Sequence, residues 1–288
     1  MDLGRDKTEG TCLGKALGRT RFLTLIPRAA KNLFTNGLPS KTEVSLALKS
    51  VPGTQKRDLN RLGISPEAVM RYVNELRSDR KFYSGFFAKI DSAREIEPRI
   101  GGIPPLYTLE FIYAIVRYTQ PEALVETGVG AGGITLFILK ALHTNDKGKL
   151  YSIDLPGFDR EFYPSIGKHY HIHVPNGWET GWLVPPELRS RWALILGDAK
   201  LELPSLLARL KSIDFFLHDS LHTYEHMMFE YCLAYMYSRD GACLISHDVI
   251  RYWSLAFVEF CDAKGLHFAL VDGILGMTKV QRPVGNNR

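Results

Sequence analysis

The order of short apolar segments after residue 122 is the feature that most restricts the fold of this sequence. Helical patterns separate most of these segments, and such alternation predicts a parallel sheet covered by helices on both faces. We therefore predict, for a domain of residues 101–288, an α/β fold with a doubly wound, mostly parallel seven-stranded sheet and an antiparallel C-terminal hairpin. The predicted strands are ALVETGV, GKLYSIDL, WALILGDA, IDFFLHDS, GACLISHDV, HFALVDGI and GMTKVQ.

Two regions stand outside this alternation. We predict that residues 1–100 form a basic N-terminal arm and a helical extension or lid. Within this region, SPEAVMRYVNELRSDRKFYSGFFAKI has helical spacing, with Ser65 as its N-cap. The next helix, LYTLEFIYAIVRYTQP, is expected to stop near Pro121. Residues 156–190 are rich in aromatic residues, histidine, proline and glycine, which predicts an inserted binding loop or lid.

Composition narrows the class of protein. The chain of 288 residues carries a formal net charge of +5, which is too mild for a nucleic-acid footprint. Its four cysteines show no C-x-x-C spacing, and the N-terminal residues contain no apolar run that would suit a signal peptide or an integral membrane segment. We expect a cytoplasmic protein with a small-molecule substrate and no nucleic-acid partner; assembly into a homo-oligomer stays open.

Acidic residues stand at the ends of five successive predicted strands. In open α/β sheets, ligands bind at the carboxyl ends of the strands, near the point where the strand order reverses. A run of acids at these positions therefore predicts a cofactor and reaction site along one edge of the sheet. The five acids are Glu126, Asp154, Asp198, Asp219 and Asp248.

The segment LVETGVGAGGITLF fits two cofactor patterns. Its glycines match the G-x-G-x-x-G of dinucleotide-binding folds, whereas Glu126 before them matches the acidic-x-G-x-G pattern of enzymes that bind S-adenosylmethionine. Asp154 could bind a ribose in either case, but Glu126 can orient a cationic amino group, and Asp198 can accept a hydrogen bond from an adenine amino group. We predict these residues to bind S-adenosylmethionine: Glu126, Thr127, Gly128, Gly130, Gly132, Asp154, Asp198 and Ala199.

Five motifs together carry a family resemblance: VETGVGAGG, LYSIDL, LILGDA, IDFFLHDSLHTYE and GACLISHDV. With them the chain resembles the class I S-adenosylmethionine-dependent methyltransferases. It is most similar to the branch of the macrocin and mycinamicin sugar O-methyltransferases and the cephalosporin-hydroxylase-like sequences. The resemblance implies a Rossmann-like sheet and a transferase of natural product biosynthesis, which methylates a hydroxyl of a small and in some cases glycosylated metabolite.

Two further motifs predict the reaction centre. HDSLHTYEH places Asp219 at a strand end with His222 three residues later, and SHDV places His247 and Asp248 at the next strand end. Ends of adjacent parallel strands are about 4.8 Å apart, so these groups can converge. The resemblance implies that Asp219, His247 and Asp248 bind a divalent cation, magnesium or manganese, and that His222 is the general base.

His247 stands where this branch has an acid, and an imidazole shifts the preference from magnesium toward manganese, iron or zinc. The residues alone leave other interpretations open: metal-free methyl transfer by His222, or acids and histidines that only cap helix ends. A nicotinamide-dependent oxidoreductase and a non-catalytic cofactor-binding partner protein are the alternative functions. HYHIH, with His169, His171 and His173, fits an exposed polar strand better than a second metal site.

Overall fold

The computed structural model describes residues 52–155, 173–249, 255–271 and 274–282. The residues from Gly53 onward belong to one compact unit. The predicted basic arm up to residue 51, and residues 156–172 of the predicted insertion with His169 and His171, lie outside the described residues. Within the described part, no helix combines the length and the hydropathy needed to span a bilayer.

Seven strands form a single sheet in the order β3-β2-β1-β4-β5-β7-β6. The first five strands run parallel, whereas β7 pairs antiparallel with both β5 and β6. The predicted fold class, including its C-terminal hairpin, is confirmed. The strands are β1 (Ala123–Thr127), β2 (Lys149–Asp154), β3 (Trp192–Leu196), β4 (Ile213–His218), β5 (Ser238–Ser246), β6 (Phe268–Val271) and β7 (Leu275–Lys279).

The helices pack in two groups: α2, α4 and α5 contact one another in series, and so do α6, α7 and α8. Because β1 and β4 lie in the middle of the sheet, their side chains are almost wholly buried. The described helices are α1 (Pro52–Arg61), α2 (Pro66–Arg77), α3 (Arg80–Ile96), α4 (Leu106–Thr119), α5 (Gly133–Asn145), α6 (Ala199–Leu210), α7 (Tyr224–Tyr237) and α8 (Ala256–Ala263), with a 3-10 helix at Pro186–Arg191.

The continuous helix predicted from Ser65 is wrong, because the structure divides it into α2 and α3. Ser65 caps α2 as predicted, accepting a hydrogen bond from the amide of Ala68 at 3.1 Å. Asp79 then starts α3 by accepting from the amide of Phe82 at 3.0 Å. A carboxylate at an N-cap satisfies an otherwise unpaired helix amide, so Asp79 favours a new helix start over continuation.

A buried carboxylate joins this helical extension to α4. Glu110 accepts hydrogen bonds from Arg77 Nη2 at 2.6 Å and from the Tyr83 hydroxyl at 2.8 Å. These partners lie in α2 and α3, so one charged group of α4 holds both helices. The next boundary agrees with the prediction: α4 ends at Thr119, and Gln120 takes a left-handed backbone conformation just before Pro121.

Candidate active site

The glycine loop joins β1 to α5 in a conformation that excludes side chains. Gly128, Gly130 and Gly132 have φ values of +82°, +51° and +85°, which L-residues with a Cβ rarely adopt. A Cβ on Gly128 would lie 2.1 Å from the carbonyl oxygen of Asp219. The loop therefore lies directly against the end of β4, where the acid and histidine motif begins.

Glu126 lies at the end of β1 and is fully buried. Its carboxyl group accepts hydrogen bonds from the hydroxyls of Ser152, at 2.6 Å, and Thr135, at 2.9 Å. Burial raises the pKa of Glu126 to about 8, and these two hydrogen bonds offset only part of that effect. Its role as a binding group for a cationic amino group stays a prediction, and it requires the ionised form.

Asp154 and Asp198 end the next two strands, as predicted, but have different surroundings. One Asp154 oxygen accepts from the amide of Val129 in the glycine loop at 3.0 Å, and the other accepts from the Thr180 hydroxyl at 3.1 Å. Asp198 caps α6 by accepting from the amide of Lys200 at 2.8 Å. Asp154 thus adjoins the glycine loop, while Asp198 and the buried Ala199 begin the helix after β3.

Residues 173–184, within the described part of the predicted insertion, lie on the glycine loop. The amide of Gly181 donates to the Gly130 carbonyl at 2.8 Å, and the amide of Leu183 donates to the Ala131 carbonyl at 3.0 Å. The His173 ring lies close enough that a Cβ on Gly130 would be 3.2 Å from its Nδ1. This segment therefore borders the predicted cofactor site; its function as a lid over the acceptor stays a prediction.

The structure brings Asp219, His222 and His247 together. His247 Nδ1 lies 2.9 Å from Asp219 Oδ1, and His222 Nε2 lies 3.7 Å from the same oxygen. One potential ligand atom from each of the three residues lies within 4.8 Å of the others. The predicted convergence of the two strand ends is therefore present, and its three members can hold a metal ion.

Asp248 lies beside this cluster rather than within it. Its Oδ2 is 3.7 Å from His247 Nδ1, and its side chain is buried. Its φ of +53° places it in the left-handed region, where residues other than glycine are uncommon and aspartate is among the few that are enriched. The predicted metal ligands were Asp219, His247 and Asp248, whereas the geometry groups the first two with His222; the role of Asp248 stays a prediction.

Electrostatics give this cluster a negative carboxylate and a neutral imidazole. Burial and the neighbouring His218 lower the pKa of His222 to about 3, so its ring is uncharged at neutral pH. For Asp219, burial by itself raises the pKa, but the attraction of His247 and of the other nearby histidines outweighs burial and lowers it. Carboxylate and neutral imidazole are the forms in which these side chains bind metal ions.

Sequence reasoning missed Glu230, a fully buried carboxylate of α7. It accepts from Thr127 Oγ1 and His218 Nδ1, both at 2.6 Å, from Ser220 Oγ at 2.9 Å and from His226 Nε2 at 2.8 Å. Burial opposes its charge, yet His218 and His226 outweigh burial and hold the pKa of Glu230 well below its usual range. His226, the last residue of the HDSLHTYEH motif, is also buried in this network.

One family profile matches the central part of the chain. Residues 125–249 match the profile of a family described as "Methyltransferase domain". This span runs from β1 to Val249, just beyond β5, and contains the glycine loop and the Asp219, His222 and His247 cluster. The match supports the predicted enzyme class at the level of a methyltransferase. No curated protein matches the sequence.

Solved structures with a similar fold include three O-methyltransferases of low sequence identity. An O-methyltransferase from Bacillus cereus, in complex with SAH, is 12% identical over 69% of this chain and 91% of its own, with a TM-score of 0.48. A putative O-methyltransferase from Klebsiella pneumoniae is 13% identical over 90% of this chain and 99% of its own, with a TM-score of 0.46. TomG from Streptomyces achromogenes, in complex with SAM, is 10% identical over 90% of this chain and 98% of its own, with a TM-score of 0.44.

Proposed function

We propose that this methyltransferase transfers the methyl group of S-adenosylmethionine to a hydroxyl of a small, glycosylated or polyhydroxylated metabolite, with the help of a divalent cation. One observation carries the proposal. The glycine loop and the Asp219, His222 and His247 cluster share one edge of the sheet, where Gly128 abuts the carbonyl of Asp219. A cofactor on the loop and a hydroxyl at the cluster would therefore be neighbours, as methyl transfer by direct displacement requires.

The cofactor would be held by groups of three strand ends. The backbone of Gly128 and Gly130 permits close approach, and Asp154 can exchange its Thr180 contact for a ribose hydroxyl. Asp198 follows Gly197, whose amide donates to the Asp154 carbonyl at 2.8 Å, and can serve the adenine end. Glu126, once ionised, can bind the amino group of the methionine part. These roles follow the predicted residue types and their places at the sheet edge.

The cluster fits a divalent cation by its donor set. One carboxylate, Asp219, and two imidazoles, His222 and His247, suit manganese, iron or zinc better than magnesium, which prefers oxygen ligands. A bound cation of this kind lowers the pKa of a coordinated hydroxyl. Asp248 can serve as a further oxygen donor beside His247.

His222 has two candidate roles, and its surroundings favour one. A general base works best with a pKa near the working pH, whereas burial lowers the pKa of His222 to about 3. A neutral imidazole with such a low pKa accepts protons weakly but can bind a metal ion. We therefore favour His222 as a ligand, and the predicted role as general base is the alternative that the experiments below separate.

The test is methyl transfer from isotope-labelled S-adenosylmethionine to a panel of glycosylated, polyhydroxylated and phenolic acceptors. The chelated enzyme should be inactive, and manganese should restore more activity than magnesium. Full activity after chelation would remove the cation from the proposal. Tight NAD binding without binding of S-adenosylhomocysteine would overturn the proposal as a whole and favour the oxidoreductase alternative.

The finer placement in the branch of the macrocin and mycinamicin sugar O-methyltransferases is part of the same proposal. It is supported by HDSLHTYE and SHDV, whose acids and histidines lie at adjacent strand ends. The acceptor panel tests it, because labelling of phenolic acceptors alone would contradict a sugar hydroxyl as the target.

A further inference from the structure

Glu230 contacts both chain neighbours of Asp219. His218, just before Asp219, and Ser220, just after it, each bind a different oxygen of the Glu230 carboxylate. We propose that Glu230 is a positioning residue, which holds the Asp219 carboxylate and the His222 ring in place at the reaction centre. The inference rests on the proposed function for the meaning of that centre, although the contacts themselves do not depend on it.

The same carboxylate also holds the end of the cofactor strand. Thr127 lies opposite His218 in the pairing of β1 with β4, and both donate to Glu230 Oε2 at 2.6 Å. Thr127 immediately precedes Gly128, whose Cβ position would overlap the Asp219 carbonyl. One side chain of α7 therefore links Thr127, the residue before the glycine loop, to the two residues that flank Asp219.

The charge on Glu230 is needed because donors reach it from several elements. Thr127 and Ser220 donate hydroxyls, and His218 and His226 donate ring N–H groups, so each carboxylate oxygen accepts two hydrogen bonds. An apolar side chain would remove the acceptor of three buried donors and of the half-buried Ser220 hydroxyl, and an amide would place its own donors against two of the four. The network is complete only with an ionised carboxylate.

The contact also fixes the orientation of His218. His218 donates from Nδ1 to Glu230, and its buried Nε2 has no hydrogen-bond partner in the described part of the chain. The His218 ring packs edge-on against the His222 ring, with 5.1 Å between their centroids. Loss of Glu230 would free His218 to rotate, and His222 would lose a fixed neighbour.

Glu110, a second buried carboxylate, provides a matched control for Glu230. It is nearly as buried as Glu230 and accepts from Arg77 and Tyr83, but these partners belong to the helical extension rather than to the strand ends. Glu110→Gln should lower the unfolding temperature while leaving the reaction centre intact. Any effect that Glu230→Gln has beyond this control is specific to the strand ends.

The experiment compares Glu230→Gln with Glu110→Gln in the full chain, by kcat, by KM for S-adenosylmethionine and by manganese affinity from electron paramagnetic resonance. Loss of a group that only orients a metal site typically costs about 10- to 100-fold in affinity or activity. We expect that loss in kcat and manganese affinity for Glu230→Gln, with a smaller change in KM for S-adenosylmethionine. Glu110→Gln should change neither kcat nor manganese affinity.

A readout without metal or substrate separates this inference from the proposed function. In the apo protein labelled with ¹⁵N-histidine, Glu230→Gln should shift the ring resonances of His222 and His247 as well as those of His218 and His226. If Glu230→Gln folds poorly, Ser220→Ala replaces it, because this variant keeps the buried charge. Ser220→Ala should shift the same resonances in the same direction but by less. Unchanged His222 and His247 resonances in both variants would overturn the inference. If the wild type neither binds a metal ion nor transfers a methyl group, but the variants still shift these resonances, the proposed function is overturned and this inference stands.

Discussion

His247 Nδ1 lies 2.9 Å from Asp219 Oδ1, although 28 residues separate them in the chain. The contact follows from sheet register: His218 pairs with Ser246, so the next residue of each strand emerges at the same edge. Backbone hydrogen bonds continue the pairing, since the His247 amide donates to the His218 carbonyl at 2.9 Å. A mutation at either position should therefore be felt at the other, which makes the pair the natural first target of mutagenesis.

Asp219→Asn should separate metal binding from folding. The amide keeps the shape of the side chain but removes the only carboxylate of the cluster, so manganese affinity should fall by about a hundredfold or more, since even the loss of a group that only orients a ligand costs 10- to 100-fold. Titration of methyl transfer with manganese after chelation measures the change. Wild-type metal dependence in this variant would show that Asp219 is no ligand.

His222→Ala distinguishes a ligand from a base. If His222 binds the cation, manganese affinity and rate should fall together; if it is the base, the rate should fall by about 10²–10⁴ with metal affinity retained. Affinity for S-adenosylhomocysteine should stay near that of the wild type in both cases. His143→Ala is the control, because His143 is exposed on α5. Normal turnover of His222→Ala would exclude both roles.

Glu126 predicts a specific dependence of stability on pH. Its pKa is about 8 in the folded chain against a reference value of 4.5, so the folded state holds the proton more tightly. The contribution of this group is therefore fully present below pH 4.5 and is lost as pH rises through about 8. Glu126→Gln, which cannot ionise, should gain unfolding temperature relative to the wild type across that window. If the unfolding temperatures of the two proteins change with pH in parallel, the raised pKa of Glu126 is contradicted.

The same group should make cofactor binding release a proton. If the amino group of the cofactor requires ionised Glu126, affinity should rise with pH up to about 8, and calorimetry in buffers of different ionisation enthalpy should detect proton release. Glu126→Gln should weaken binding and abolish the release. Binding of S-adenosylhomocysteine without proton exchange would mean that Glu126 has only a structural function.

Gly128→Ala tests the cradle of the glycine loop. The new Cβ would lie 2.1 Å from the Asp219 carbonyl oxygen, so the loop or the end of β4 must shift and affinity for S-adenosylhomocysteine should be severely reduced. Gly63→Ala is the matched control, because Gly63 also has a positive φ but nothing within 4 Å of a Cβ. It should carry only the roughly 1–2 kcal/mol of left-handed backbone strain. Equal affinity in both variants would contradict the proposed cofactor site.

The fold could be predicted from the sequence because its pattern is local. Strands β1 and β4 are short segments rich in apolar residues, and their ends in Thr127 and His218 fall within the predicted segments. The division at Asp79 could not be read from helical spacing, since both helices share it. There the deciding contacts are the cap to Phe82 and the ion pair of Asp79 with Lys140 at 2.7 Å, which joins residues 61 positions apart.

The candidate site was predictable only where its residues stand at strand ends. Asp219 and His247 end adjacent strands, so their proximity follows from the order of the sheet. The inclusion of His222 rather than Asp248 depends on the loop after β4, whose conformation spacing does not fix. Glu230 gave one usable signal: it is a charge four residues after His226 in an otherwise apolar stretch of helix, and such a charge needs buried partners.

The left-handed backbone of Asp248 implies a trade-off between stability and activity at this position. Glycine would adopt this φ of +53° without strain, whereas a residue with a Cβ gives up about 1 kcal/mol there. If the carboxylate serves the reaction centre, that loss is the consequence of keeping it. A selection of variants for heat resistance alone should therefore recover glycine at position 248, and a selection for methyl transfer should return aspartate.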